Sequence, residues 1–188
     1  LVDFYPVDSR SPLSVRSLIE ELKKNDSIKR RIVLAILLLV TFLLQTTGGF
    51  FPAPFNIHAC LLVPATVCIA MFEREFSGLF FGLAAGMALE TVSPDSVCFY
   101  SVIFTLIGFC SGILITYLMR NNLVTALIFT FSFTLILNSL YCLFFYIFDG
   151  VNISFLFYLK YYFVSAIYTS LFTPIFYLLV RLVFKKYK

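Results

Sequence analysis

Of the side chains able to do acid–base, nucleophilic or metal chemistry, this chain places only a handful within or beside its long apolar runs. The best defined is Glu90. It closes "SGLFFGLAAGMALE", residues 77–90, in which Gly78, Gly82 and Gly86 precede it at four-residue spacing. A carboxylate in a membrane-crossing run is costly unless paired, hydrated or neutralised. Glu90 is therefore either an acid turned toward a bundle interior, for structure or partner contact, or an end-of-helix group among headgroups. His58 is the single histidine and reads as an interfacial residue rather than a metal ligand. Asp95 and Asp149 fall in connections, and neither pairs with a second acid at membrane depth, as intramembrane aspartyl chemistry requires. No GxSxG elbow, HExxH pair or P-loop occurs. Cys60, Cys68, Cys98, Cys110 and Cys142 show no paired spacing and read as small packing residues. The expectation is a chain without catalytic residues, metal or cofactor.

The glycines have a second use. Residues four apart on a helix drift by about 40°, so Gly78, Gly82, Gly86 and Glu90 form one slowly winding ridge. A neighbouring helix can approach closely along it and gain dispersion contacts. The next apolar run carries Gly108 and Gly112 with Ser111 between them, and only the short turn "SPDS" separates the two runs. A small-residue seam between antiparallel neighbours is the preferred account, ahead of the wall of a ligand pocket. Further along, Asn138 and Ser139 follow Thr125, Thr130, Ser132 and Thr134 in one run. Such groups bond across membrane helices for about 0.6 kcal/mol each, and Asn138 could equally line a pocket.

The elements that position these residues follow from composition. The chain has 188 residues, 61% hydrophobic and 13% charged, too few polar groups to cover a soluble domain of this size. The charges are also segregated: residues 32–72 and 97–119 contain none. This patterning predicts an all-α polytopic membrane protein with six transmembrane helices in one bundle, near 32–51, 57–72, 76–92, 97–119, 122–148 and 161–184. Pro64, at the middle of the second, and Pro174, in the sixth, predict kinks. Residues 1–31 form a leader: an extended or disordered, Pro-containing start, then a stretch able to form a short amphipathic helix with Val15, Leu18, Ile19 and Leu22 on one face, either lying at a membrane surface or standing as a solvated juxtamembrane segment. Its position and length set the first apolar run apart from a signal peptide. Residues 185–188 form a basic tail. With both termini cytoplasmic, every Lys and Arg but Lys160 lies inside, so the positive-inside rule selects that orientation.

Several features, taken in order, resemble the MreD family of rod shape-determining membrane proteins. The first run ends "LLQTTGGF", similar to the Leu-Gln that closes the first helix of that family. There follows "FNIHACLLVPATVCIAMFEREFSGLFFGLAAGMALETVSPDS". That order matches an apolar second helix, a brief charged turn, and a glycine-rich helix ending in an acid before a Ser/Pro turn. The acid is Glu90 where the family usually has Asp, and "VCFY" stands where it has a glycine and a leucine. The resemblance implies a non-enzymatic scaffold of the cell-elongation complex in the bacterial cytoplasmic membrane. Such a scaffold binds the single-span MreC, helps organise the MreB cytoskeleton and positions peptidoglycan synthases. It directs attention to Gly78, Gly82, Gly86 and Glu90. A six-helix layout of this size also resembles the substrate-binding subunit of an energy-coupling-factor vitamin transporter, the alternative reading. That alternative expects small residues on the first helix, where "IVLAILLLVTFLLQ" offers only Ala35.

Overall fold

The computed structural model describes residues 12–47, 60–73, 75–93, 98–117, 121–147 and 155–186, with side chains described for 27–47, 60–73, 75–93, 98–117, 121–144 and 162–186. Among these residues the chain is all-helical. Its helices are α1 (Pro12–Thr46), α2 (Leu62–Glu73), α3 (Glu75–Glu90), α4 (Phe99–Tyr117), α5 (Leu123–Tyr141) and α6 (Phe155–Lys186). A π-helical segment, Cys142–Ile147, continues α5.

Pro12 opens α1, where its missing N–H is no loss, and no glycine or further proline interrupts the chain before Gly48. The sequence reads residues 1–31 as a leader set apart from the apolar run, with a short helix of its own. Instead, leader and apolar run form one helix of 35 residues, about 52 Å long. Leu34, Leu38 and Thr41 turn inward at helical spacing. Ile32, Ile36, Leu39 and Leu43 turn outward.

The core is built around α2. Apart from half-buried Phe72, all of its residues from Leu62 to Glu73 are buried. A helix apolar on all sides belongs inside other helices, and α2 packs against α1, α3, α4, α5 and α6. It has only 12 residues, about 18 Å. Pro64 is not at its middle. It is the third residue, in the first turn, where no intrahelical bond is lost and no kink is required. Pro174 does lie inside α6, where it leaves the Ser170 carbonyl without its usual donor.

Large apolar side chains cover the outside. Ile36 is 56% exposed, Phe76 75%, Leu106 54%, Val124 64% and Leu171 69%. So much outward apolar surface suits lipid rather than water. Among the described residues, three segments are long and apolar enough to cross a membrane: Phe99–Tyr117, Leu123–Phe144 and Tyr162–Lys186. The other apolar helices are shorter in this respect, with 12 residues in α2 and 16 in α3.

Candidate functional site

Helices α3 and α4 lie antiparallel and closely packed along their glycines. A Cβ built on Gly78 would stand 2.6 Å from the Gly108 carbonyl oxygen and 2.8 Å from the Ala70 Cβ of α2. On Gly82 it would strike the Phe104 carbonyl oxygen, and on Gly86 it would stand 2.5 Å from the Ser101 Cα. The reverse test agrees, since a Cβ on Gly108 would strike the Gly78 carbonyl oxygen. Each step up α3 is matched by a step down α4, so Gly78, Gly82 and Gly86 meet Gly108, Phe104 and Ser101 along one seam. Gly112 is buried one turn further along α4.

The seam ends in a specific polar contact. Glu90 Oε1 accepts the Ser101 backbone N–H at 2.9 Å, and Oε2 accepts the Ser101 hydroxyl at 2.7 Å. Ser101 is the third residue of α4, in the turn whose amides have no intrahelical acceptor. A carboxylate is unfavourable at the end of its own helix and favourable at the start of another. Glu90 therefore links the end of α3 to the start of α4, with both oxygens engaged. The connection reaches α4 through Cys98, whose φ of 59° is left-handed.

A second carboxylate was not distinguished in the sequence. Glu73, the last residue of α2, has a side chain only 2% exposed. Its Oε1 is 2.7 Å from Arg30 Nε, and Oε2 is 3.6 Å from Arg31 Nε. Arg30 also lies over the Phe184 ring, 4.4 Å from its centroid. This ion pair ties α1, α2 and α6 at one end. At the other end of α2, Gln45 Oε1 accepts the Leu62 N–H at 3.0 Å and Thr169 Oγ1 accepts the Cys60 N–H at 3.3 Å. The same three helices are thus tied again. Residues 30 and 45 of α1, 73 and 60 at the ends of the α2 segment, and 184 and 169 of α6 are separated by roughly 20–22 Å at 1.5 Å per residue. One signal was available: Glu73 is the acid that ends the charge-free run 32–72.

Asn138 is not brought to the seam. It lies half-buried on α5, with Nδ2 lacking a partner among the described residues. The hydroxyls of Thr130 and Thr134 donate to carbonyls of their own helix, Ala126 and Thr130, rather than across to a neighbour. Ser132 is exposed. His58, Asp95, Asp149 and the side chain of Lys160 lie outside the described residues. Among the described residues the five cysteines are free thiols, and no His, Cys, Asp and Glu cluster could hold a metal ion.

No family model matches the chain, and no curated protein or solved structure is significantly similar to it.

An open cleft of about 380 Å³ lies at the Glu73 end of α2. It is lined by Phe72, Asn121, Asn122, Leu123, Tyr177, Leu178 and Arg181. Asn121 is held there by its Nδ2, which donates to the Met71 carbonyl at 3.3 Å, and by the Tyr177 hydroxyl, which donates to the Asn121 carbonyl at 3.4 Å. In this way the turn before α5 closes over the end of α2.

Proposed function

We propose that this chain is a six-span, non-enzymatic membrane scaffold with both termini cytoplasmic, serving the bacterial cell-elongation complex as its resemblance to the MreD family implies. The observation that carries the reading is the engagement of two acids at helix ends, Glu90 and Glu73. Glu90 holds α3 to α4, and Glu73 holds α2 to α1 through Arg30, which also lies over Phe184 of α6. Both are committed to keeping helices in place, which is what a scaffold asks of its polar groups. The outward face of α1 supports a partner of the MreC kind, a single membrane-spanning helix. Ile32, Ile36, Leu39 and Leu43 are all exposed, at spacings of four, three and four, the repeat on which two helices interlock. On this reading the leader end of α1 extends beyond the cytoplasmic face toward MreB, and the assembly positions peptidoglycan synthases.

The vitamin-transporter alternative asks α1 to dock through small residues. Ala35 is exposed, but its outward neighbours are large aliphatics. Depletion in a rod-shaped host should round the cells, and affinity purification in mild detergent should recover an MreC-like protein. Unchanged cell width together with recovery of no such protein would overturn the proposal, and a co-purified vitamin would favour the alternative.

A further inference from the structure

Because leader and apolar run are one helix, a stripe divided between them in the sequence becomes continuous along α1. The outward residues Ile32, Ile36, Leu39 and Leu43 follow one another at four, three and four. Carried back at the same alternation, the series passes through Lys29, Asn25, Leu22, Leu18 and Val15. Seven of these nine positions are apolar. Together they make four heptads of the kind that seats a second helix, over about 42 Å. The repeat winds by about 20° per heptad around a straight helix, the drift that a left-handed pair takes up by supercoiling. Leu34, Leu38 and Thr41 lie on the opposite side, against the bundle.

Lipid can cover the stripe from Ile32 to Leu43, but not the rest of it. On the membrane reading, Arg30, Arg31, Lys185 and Lys186 mark the cytoplasmic boundary. Val15 precedes Arg30 by 15 residues, so its position on the helix is about 22 Å beyond that level. No glycine or proline after Pro12 lets α1 turn back onto the membrane surface. A row of apolar positions in water calls for protein cover, and a helix that follows the stripe out of the membrane supplies it.

The polar positions say which helix. Lys29 is exposed between the exposed Ile28 and Ile32, and it makes no ion pair among the described residues. A second copy of this chain, held parallel by the membrane, would set Lys29 against Lys29. It would also set Glu21 against Asp26 across the flanking positions. Both juxtapositions repel. A helix with a carboxylate at the level of Lys29 and cations beside Glu21 and Asp26 turns both into attraction. We propose that α1 seats one helix of a second protein along Val15–Leu43, running with α1 from the membrane into the cytoplasm and setting a carboxylate against Lys29. This rests on the scaffold reading and deepens it, because the partner's helix must outlast its membrane span by about 20 Å.

The test uses the full chain in its native host, with photoreactive benzoylphenylalanine placed in turn at Leu22, Leu39 and Leu171, the last 69% exposed on α6. Adduct yields are normalised to the amount of chain in the membrane. Leu22 and Leu39 should both give an adduct with the same single-span protein, whose captured helix carries Asp or Glu level with Lys29, and Leu171 should not. Lys29→Glu, at an exposed position, should lower both yields by about tenfold, and exchanging the partner's acid for lysine should restore them to within about twofold. Adducts of the chain with itself would put a second copy on the stripe and overturn the proposal. So would lipid adducts alone, a partner captured from Leu39 but not from Leu22, or yields unchanged by Lys29→Glu. The scaffold reading fails separately: capture with this charge match, from cells whose width is unchanged by depletion, supports the seat and removes its assignment to cell elongation.

Discussion

Substituting Gly82 by alanine sets two effects of known sign against each other. Alanine is the better helix former, by about 0.8–1.0 kcal/mol, so an α3 free of close neighbours would gain stability. At this seam the new Cβ would strike the Phe104 carbonyl oxygen and stand 3.0 Å from the Phe104 carbonyl carbon and 3.2 Å from the Thr105 Cα. All three are backbone atoms, so no rotamer change relieves the contact, and α3 and α4 must part by roughly an ångström to restore ordinary van der Waals distances near 3.5–4.0 Å. Overpacking of this kind costs about 1–3 kcal/mol. The parting would also stretch the Glu90–Ser101 bonds at 2.9 and 2.7 Å. The net expectation for Gly82→Ala is a loss of about 1–2 kcal/mol, with Gly82→Leu losing more because its larger side chain has nowhere to go. Unfolding in dodecyl maltoside by SDS titration or by heating measures this. Ala84→Leu, at an exposed position of the same helix, serves as the control and should be near neutral. Gly82→Ala as stable as the parent, or more so, would show that helix propensity outweighs the contact and that the seam is not close-packed.

Four further outcomes are expected. Arg30→Ala should destabilise by about 2–3 kcal/mol, below the usual 3–5 for a broken buried pair because Arg30 is partly exposed. Arg31→Ala should cost under about 1 kcal/mol, and adding Glu73→Ala to Arg30→Ala should cost less than the sum of the single variants. Glu90→Ala should cost about 1–3 kcal/mol by leaving the Ser101 N–H unpaired, and Ser101→Ala in that background should cost almost nothing more; additive losses in an unfolding cycle would contradict the link. Cys98→Gly should raise stability by about 1 kcal/mol through release of the left-handed backbone, and a lowered midpoint would refute the strain. On the proposed orientation, a membrane-impermeant maleimide applied to intact cells should label exposed Cys98 before α4 and leave buried Cys68 unmodified until the protein is unfolded; labelling of Cys98 only after cell lysis would reverse the orientation.

The helical class was legible because charge-free apolar runs leave the backbone few alternatives, and apart from the leader half of α1 the described helices fall largely on apolar runs. The glycine seam was legible for a related reason. Its α3 glycines show their spacing locally, and α4 is the next helix along the chain. The ties around α2 were not legible. Arg30 and Glu73 are 43 residues apart, and Cys60 and Thr169 are 109 apart, so no local pattern announces either contact. Pro64 shows the consequence. In the sequence it stands at the middle of an apolar run and predicts a kink. The helix begins only at Leu62 because Gln45 and Thr169, both distant in the chain, accept the amides at its start. Thr130 and Thr134 failed in the other direction: a hydroxyl on a helix always has its own i−4 carbonyl within reach, and here that local acceptor won.

The short central helix explains why the polar ties sit where they do. A helix as apolar all round as α2 is held sideways by packing, but packing alone sets its position along its own axis weakly, because one aliphatic surface slides past another at little cost. Charges and amide caps do not slide. The Glu73 carboxylate is fixed between two arginines of α1, and the amides at the start of α2 are fixed on Gln45 of α1 and Thr169 of α6. The separations along α1 and α6 match the span from Cys60 to Glu73, so both ties close together only when all three helices are in register. Asn121 then adds a third stop by bonding the Met71 carbonyl near the end of α2. Moving α2 by a single turn, about 5.4 Å, would break every one of these contacts at once and leave a carboxylate and several amides buried without partners. The register of the bundle is therefore set by a few polar groups at the ends of α2, while the glycine seam sets how closely α3 and α4 approach.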